Sequence, residues 1–363
     1  MAELYIGLMS GTSADGIDAA LVDFSQPTPT MVATYYMPYP AALREQILAL
    51  CVQGEDEIQR MGELDVLLGK TFAQAANTLL QQQSLSSADI KAIGSHGQTV
   101  RHAPQRFTLQ IGDPNTIAAE TGITTIADFR RKDMAYGGQG APLVPAFHHH
   151  LFARQQLPPL IVNIGGIANV TVLSSPIIGF DTGPGNVLMD AWIQLHHQKT
   201  HDAQGTWAAQ GKIQPALLAQ LLSDPYFTLP PPKSTGREYF HLTWLQKYLS
   251  ALPKKFLPED VQATLAELTA CSILKAIQSY RLEGEIVICG GGAHNAYLMQ
   301  RMRTLAAPQF SVNSTQKYGI DPDWVEAVAF AWLAKQTLLR QPGNLPSVTG
   351  AKKPVVLGGI YHP

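Results

Sequence analysis

Glycine-rich turns follow three strand-like segments of this 363-residue sequence, at residues 11–16, 165–166 and 290–292. Small residues let backbone N–H groups approach an anion closely, and the Ser and Thr hydroxyls of the first turn add donors. One such turn alone is more often an ordinary connection than a binding site. Three of them in one chain favour nucleotide binding.

The common nucleotide motifs do not account for these turns. Residues 11–16 have the glycine spacing of a P-loop, but Ile17 and Asp18 stand where that motif needs Lys followed by Ser or Thr. The sequence therefore excludes a P-loop NTPase. Residues 290–295 also fail the dinucleotide fingerprint, because Asn295 replaces its last glycine. The set of protein-kinase motifs is missing as well.

Three aspartates, Asp15, Asp18 and Asp181, lie beside glycine-bearing turns. Carboxylate oxygens next to phosphates suit Mg²⁺, which bridges to substrate oxygens. Asp181 lies between a short apolar strand and a Gly-Pro-Gly turn, at the strand end where α/β sites form, and a carboxylate there could act as a general base. An N-cap or Asx-turn role is equally compatible with this pattern. Both interpretations remain open at this point.

Polar clusters follow two further apolar strands. His96 and Gln98 follow the first of these strands, and residues 128–133 follow the second. Arg130 in the second cluster could bind a carboxylate through two hydrogen bonds, although a charge run is more often a solvated face. Residues 148–150 are three consecutive histidines, which on a helix do not face one point. We interpret them as structural or exposed.

The elements that must position these residues alternate between strands and helices. Each half of the chain begins with a glycine-bearing hairpin, so the pattern predicts an α/β protein of two similar lobes with a cleft between them. We take the charged, glycine-rich loop at residues 128–140 as the boundary between the two lobes. We expect an N-terminal lobe of residues 1–130, completed by the tail 352–363, and a C-terminal lobe of residues 131–351.

Composition narrows the possible classes of protein. The formal net charge is −2, with 45% hydrophobic and 15% charged residues, which excludes a disordered polymer and disfavours nucleic-acid or anionic-membrane partners. Cys51, Cys271 and Cys289 are far apart, so a disulfide framework and a cysteine zinc site are not expected. The sequence predicts no signal peptide and no membrane helix, which suggests a cytoplasmic protein.

Six ordered motifs carry a resemblance to a known family. They are GLMSGTSADGID at 7–18, SHGQT at 95–99, QIGDP at 110–114, ADFR at 127–130, NIGGIAN at 163–169 and FDTGPGN at 180–186. Together they resemble the anhydro-N-acetylmuramic acid kinase family, and the similarity extends to about residue 330. The resemblance implies the two-lobed, ribonuclease H-like fold of the actin, sugar-kinase and Hsp70 ATPase superfamily, with an interlobe cleft that holds ATP and Mg²⁺.

The resemblance also implies which residues bind the nucleotide, while it leaves the metal ligands unassigned. They come from the first hairpin, the second phosphate turn, the turn after Asp181 and an adenosine-side loop: Gly11, Thr12, Ser13, Ala14, Asp15, Gly16, Ile17, Asp18, Gly165, Gly166, Gly183, Gly290, Gly291, Gly292 and Asn295.

The implied reaction opens the 1,6-anhydro ring of anhydro-N-acetylmuramic acid with water and phosphorylates O6, giving N-acetylmuramic acid 6-phosphate and ADP in peptidoglycan recycling. By resemblance, Asp181 is the base on the water, Glu326 a second acid, and His96 and Arg130 line the sugar side. A homodimer is expected, with residues 128–140 as part of a hinge. The alternatives are a simple sugar-hydroxyl kinase of the same fold, a non-catalytic ATP-regulated binding module, and a glycosidase that works without nucleotide.

Overall fold

The apolar segments form strands in the computed structural model, which describes residues 2–104, 106–152, 155–231 and 233–363. In chain order the strands are β1 (Leu4–Ser10), β2 (Gly16–Asp23), β3 (Thr30–Pro38), β4 (Ile90–Ala103), β5 (Phe107–Ile111), β6 (Thr125–Ala127), β7 (Leu160–Ile164), β8 (Ile167–Val172), β9 (Ile178–Pro184), β10 (Gly284–Cys289), β11 (Phe310–Ser314) and β12 (Gly359–Tyr361).

The helices lie between these strands. They are α1 (Ala41–Leu50), α2 (Glu57–Gln82), α3 (Pro114–Thr121), α4 (Phe129–Ala135), α5 (Val144–Phe152), α6 (Val187–His197), α7 (Pro215–Leu222), α8 (Leu242–Ser250), α9 (Pro258–Gln278), α10 (Ala296–Ala306), α11 (Val325–Leu338) and α12 (Pro346–Thr349).

Two sheets share one strand order. In the first, β3-β2-β1 is an antiparallel meander, and β4 and then β6 continue it in parallel with β1. In the second, β9-β8-β7 is the meander, and β10 and β11 continue it in parallel with β7. The first sheet also carries β5 beside β4, and β12 beside β6. The expected repetition of a glycine-bearing hairpin is therefore a repetition of sheet topology.

The chain divides into two compact units, Met1–Leu151 with Trp324–Pro363, and Phe152–Asp323. These bounds differ from the expected ones, at residues 130 and 351. The difference at the C-terminal bound arises because α11 packs on β1, β2 and β4 of the first sheet although it lies late in the sequence. Its buried face includes Val328, Phe330 and Leu333.

Each unit has its own apolar core. In the first unit, α2 places a stripe that includes Leu64, Leu68, Phe72 and Leu79 against the meander strands, which the helical spacing of these residues predicts. In the second, α9 is buried along most of its length among the residues of β7 to β10. These two helices hold the two meanders in place.

Several elements differ from the sequence expectations. The loop predicted at residues 128–140 contains α4. The apolar residues 355–357 predict a strand, but the structure has β12 a few residues later. The glycines at residues 290–292 predict the start of a helix, but α10 begins at Ala296 with Asn295 as its N-cap. A short 3₁₀ turn, Pro322–Trp324, precedes α11.

Among residues 2–104, 106–152, 155–231 and 233–363, no helix combines the length and the hydrophobicity needed to cross a membrane.

Gly7 explains why α11 lies so close to β1. An alanine Cβ at this position would stand 1.8 Å from the Ala327 carbonyl oxygen, so the helix would have to move. We expect Gly7→Ala to lower the free energy of unfolding by about 1–3 kcal/mol or more. Gly62→Ala is the matched control: it lies on the exposed side of α2 with open space around it, and we expect a gain of about 0.5–1 kcal/mol. Urea unfolding of both variants measures the difference, and equal stabilities would contradict this account.

Candidate active site

The hairpin between β1 and β2 is the first predicted phosphate turn. Its residues 11–15 are a tight turn in which the Ala14 N–H donates to the Gly11 carbonyl over 3.1 Å, with Ala14 at φ +50° and its side chain buried. The Asp15 carboxylate is exposed and accepts a hydrogen bond from the Ser13 hydroxyl at 2.9 Å. The Asp15 carbonyl accepts from the Tyr39 N–H at 2.9 Å. The turn is therefore fixed at both of its ends.

A buried polar network supports this hairpin from below. The Ser10 hydroxyl donates to Gln98 Oε1 at 2.7 Å, and Gln98 Nε2 donates to the Gly11 carbonyl at 3.1 Å. The Tyr39 hydroxyl donates to Ser10 Oγ at 3.1 Å. Ser10 and Gln98 have no exposed surface. Because satisfied buried networks are rigid, the turn holds one shape before any ligand binds. Gly16, Ile17 and Asp18 continue this hairpin as the start of β2.

Three predicted residues of the first unit lie together. Arg130, in α4, donates from Nε to His96 Nε2 at 3.0 Å and from Nη1 to the Gly140 carbonyl at 2.9 Å. Glu326, in the first turn of α11, lies close enough to act electrostatically on Arg130. The His96 ring also stacks 4.7 Å from Phe330 of α11. The structure thus groups Arg130, His96 and Glu326 although they are far apart in sequence.

The electrostatics of this group follow from its burial. Desolvation, and then the charge of Arg130, hold the pKa of His96 well below its usual range, so its imidazole is neutral. Since Nε2 accepts the Arg130 N–H, the ring proton lies on Nδ1. Burial raises the pKa of Glu326, and the Arg130 charge opposes that shift. The group is therefore one buried cation, a neutral imidazole donor and a carboxyl with increased proton affinity.

The segment expected as part of a hinge is anchored by Asp133. Its buried carboxylate accepts from the Gly140 N–H at 2.9 Å, from Asn344 Nδ2 at 2.7 Å and from the Thr349 hydroxyl at 2.7 Å. These bonds fix the Gly140 carbonyl that Arg130 contacts. The segment thus serves to orient the Arg130 guanidinium.

Asp181 lies inside β9 of the second unit, not at the end of a strand. The register with β8 slips here, so that Thr182 is left out of the pairing of residues between the two strands, and such bulges are common next to active sites. Asp181 Oδ2 accepts from the Thr235 N–H at 3.0 Å and from the Ser234 hydroxyl at 3.1 Å. Burial nevertheless raises the pKa of Asp181, and the nearby Glu238 charge adds to the shift. The expected N-cap role is not seen, because α6 begins six residues later.

The second predicted turn, Gly165 and Gly166, connects β7 to β8 and contacts the start of α6. The Gly165 carbonyl accepts from the Asn186 N–H at 2.8 Å, and the Gly166 carbonyl accepts from the Val187 N–H at 3.0 Å. Gly183 is buried in β9 against the Phe227 ring. All three glycines therefore have packing roles in addition to any contact with a ligand.

The loop predicted to contact adenosine, residues 290–295, lies on the end of β7. Gly290 has φ +78°, and a Cβ there would stand 2.3 Å from Asn163 Oδ1, so this position requires glycine. Gly291 and Gly292 belong to a 3₁₀ turn, Gly291–His294. Asn295 Oδ1 caps α10 by accepting from the Leu298 N–H at 3.0 Å. The loop thus has a fixed backbone with Asn295 at its end.

Sequence reasoning missed several residues around these sites. Ser234 and Thr235 bind Asp181 but fall in a proline-rich stretch whose composition predicts only a stiff surface loop. Asp190 of α6 is partly buried, and desolvation raises its pKa to about 7, opposed by the nearby Arg237 charge. Position in an amphipathic helix was its only sequence signal. The histidine tract agrees with expectation, since His148 is buried with a pKa lowered to about 3 by desolvation while His149 and His150 are exposed.

Comparisons with known proteins identify the family of this chain. A family model described as Anhydro-N-acetylmuramic acid kinase matches residues 3–363. Curated proteins named anhydro-N-acetylmuramic acid kinase are similar along their full length. The one from Coxiella burnetii (strain Dugway 5J108-111) is 56% identical over 99% of this chain and 97% of its own. Those of Saccharophagus degradans and Shewanella oneidensis are each 55% identical, over 99% and 98% of this chain and 99% and 98% of their own.

Among solved structures, component A of (R)-2-hydroxyglutaryl-CoA dehydratase from Acidaminococcus fermentans matches with a TM-score of 0.51 at 10% identity, over 91% of this chain and 96% of that one. That likeness shows the fold alone. The fold is the expected actin-like α/β fold. By the family match and by the identity to these relatives along nearly all of its length, the chain belongs to the anhydro-N-acetylmuramic acid kinase family.

Proposed function

We propose that this protein is an ATP-dependent kinase that opens the 1,6-anhydro ring of anhydro-N-acetylmuramic acid and phosphorylates O6, in peptidoglycan recycling. The observation that carries the proposal is the Asp181 carboxylate: in a chain of this family it is oriented by two hydrogen bonds to one oxygen and has its pKa raised by burial. A carboxylate of this kind is a stronger base than a solvated one and is suited to activate water.

The substrate dictates the reaction. A 1,6-anhydro sugar has no free 6-hydroxyl, so O6 can be phosphorylated only when the anhydro bridge opens. Water forms a bond to the anomeric carbon while the bond from that carbon to O6 breaks. O6 then bonds to the γ-phosphorus, and ADP leaves with the electrons of the broken P–O bond. Asp181 takes the proton of the attacking water, as in inverting glycoside hydrolysis, while the γ-phosphoryl group captures the departing oxygen.

The hydrogen bonds of Asp181 support this role. Thr235 and Ser234 both contact Oδ2, so we assign Oδ1 to the water. The Asp181 backbone is held as well, because its N–H donates to the Lys233 carbonyl at 3.1 Å and its carbonyl accepts from the Tyr226 hydroxyl at 2.8 Å. A base fixed in this way loses little entropy when it aligns the water.

The Arg130 group fits the sugar end of the substrate. A buried guanidinium suits the lactyl carboxylate, and the Nδ1–H of neutral His96 can donate to a sugar oxygen. Glu326, with its raised pKa, is proposed as the second acid near the water. The positive charge of Arg130 would then be balanced in turn by Glu326 and by the substrate.

For the nucleotide, we propose that the fixed hairpin at residues 11–18 and the turn at Gly165 and Gly166 bind the phosphates, with Gly183 beside them. Residues 290–292 and Asn295 would hold the adenosine. The carboxylates of Asp15 and Asp18 are hard oxygen donors of the type that Mg²⁺ takes, and both belong to the hairpin. Bound Mg²⁺ would neutralise charge on the phosphates. We further propose a cytoplasmic homodimer, as the family resemblance implies.

The decisive test offers ATP and 1,6-anhydro-N-acetylmuramic acid and measures both ADP and the product mass. We expect a mass gain of one water plus one phosphoryl group, with one ADP per product. A gain of a phosphoryl group alone would favour the simple sugar-hydroxyl kinase, and ATP turnover that ignores the sugar would favour a binding module. Product formed without ATP would indicate a glycosidase. In ¹⁸O-labelled water, ring opening places the label on the anomeric hydroxyl.

A further inference from the structure

A cavity of about 390 Å³ lies in the second unit, next to the strand that carries Asp181. Its walls come from β9, from the end of α9 with the two residues that follow it, and from residues 227–231 and Lys233. Phe180 and Thr182, the two chain neighbours of Asp181, line it, whereas Asp181 itself does not. The volume is that of a small-molecule site. The predicted nucleotide and sugar residues do not line it.

The walls combine flat apolar surface with positive charge. Phe180, Phe227 and Tyr280 contribute aromatic rings, and Lys233 and Lys275 contribute the charge. None of the described residues that line the cavity is acidic. Such walls match a ligand with a flat apolar body and one anionic group.

Among the described residues that line the cavity, no acid balances the charge of the two lysines. Lys233 Nζ donates to the Tyr226 carbonyl at 3.1 Å and lies 4.6 Å above the Tyr226 ring, and neither contact is with an acid. Burial and the charge of Lys275 lower the pKa of Lys233, so the two ammonium groups repel each other. An anion bound between them would relieve that repulsion and complete the charge balance.

From this geometry we propose that the cavity is a second binding site, which takes a small organic anion with its carboxylate or phosphate between Lys233 and Lys275 and its apolar body against Phe180, Phe227 and Tyr280. Nothing in the proposed reaction uses this cavity. The site therefore shares no lining residue with the proposed catalytic groups.

The site is nevertheless connected to Asp181 through one short segment. The Lys233 carbonyl accepts from the Asp181 N–H. The next two residues, Ser234 and Thr235, donate hydrogen bonds to the Asp181 carboxylate. An anion that draws the Lys233 side chain into the cavity would shift this segment. Resting on the proposed function, we infer that occupancy changes kcat through the orientation of Asp181, while the KM for ATP stays the same.

Binding can be tested without turnover by titrating the full chain with 2-naphthoate in a calorimeter, and its neutral analogue 2-naphthamide serves as the probe control. We expect 2-naphthoate to bind about tenfold more tightly than the amide, because a charge-assisted contact is lost in the amide. Lys275→Gln and Lys233→Gln should each remove about this factor. Ser279→Trp, at the cavity wall, should abolish binding. Lys247→Gln, an exposed lysine of α8 in the same unit, is the matched control and should bind as the wild type does.

Equal affinity for the acid and the amide, or equal binding by all variants, would contradict the proposal of a second binding site. The kinetic readout is separate: saturating 2-naphthoate should change kcat in the wild type and not in Lys275→Gln. Binding without that difference would overturn the connection to Asp181. Failure of the proposed function would instead leave the binding data intact and give no turnover with the anhydro sugar in any condition.

Discussion

Replacing Asp181 by asparagine should lower kcat by about 10²- to 10⁴-fold, the range that a positioned general base contributes. The side chain keeps its size, and the amide oxygen can still accept the hydrogen bonds from Thr235 and Ser234. What the variant loses is the ability to take a proton from water. Because the phosphate turns are unchanged, we expect ATP affinity to remain that of the wild type. Steady-state turnover and calorimetric ATP titration measure the two quantities.

The pH profile provides the control for this assignment. Asp181 acts as a base only when ionised, so kcat/KM falls as the pH drops through its pKa, and burial places that limb above the usual range for aspartate. Glu238 contributes to the shift by its charge. Glu238→Gln should therefore move the acid limb to lower pH while kcat at neutral pH changes little. If Asp181→Asn retains near-normal kcat, Asp181 is not the base.

Short-range sequence patterns were sufficient to predict the two glycine-bearing hairpins and the helix α2. Strand-turn-strand patterns with glycine predicted the hairpins at β1–β2 and β7–β8, and the helical spacing of Leu64, Leu68 and Phe72 predicted α2. The helix α4 was missed because its run of charges resembles a solvated loop and the glycines after it have low helix propensity. It forms because Phe129 and Asp133 are buried in tertiary contacts, which a local pattern cannot reveal.

The candidate site shows the same limit. The motifs identified Asp181, His96 and Arg130 as chemically interesting, but not their partners. Glu326 is brought to Arg130 only because α11 packs on the first sheet, almost 200 positions later in the chain. Similarly, Ser234 and Thr235 reach Asp181 through a connection whose composition suggests no more than a surface loop. Contacts made by packing depend on the whole fold, so they have no signature in a short segment.

The strand that carries Asp181 is longer than the sequence suggests. A strand that ended before Asp181 would have agreed with the sequence, because glycine and proline follow it. The sheet instead continues to Pro184, with Thr182 as the extra residue of the bulge. Successive side chains of a strand point to opposite faces of the sheet. Phe180 and Thr182 therefore line the cavity, while Asp181 between them binds the segment at residues 234–235.

Arg130→Ala carries the second large effect, on substrate affinity. If the buried guanidinium binds the lactyl carboxylate, its loss should raise the KM for anhydro-N-acetylmuramic acid by about 10- to 100-fold, the factor for a charged hydrogen bond. The corresponding anhydro-N-acetylglucosamine lacks that carboxylate, so its KM should change much less. Arg131→Ala is the matched control, because Arg131 lies in the same helix as Arg130 but is exposed. Its side chain pairs with Asp128 at 2.6 Å.

The comparison between the two sugars separates recognition from a structural role of Arg130. Removing the guanidinium also leaves Glu326 without its cation and should raise the pKa of Glu326 further. That change, like any loss of folding, would affect both substrates to the same degree. Kinetics with both sugars, together with thermal unfolding of the variant, therefore decide the matter: equal increases in KM would contradict the carboxylate contact, whereas a selective increase for the muramic sugar requires it, since only that sugar offers the charge.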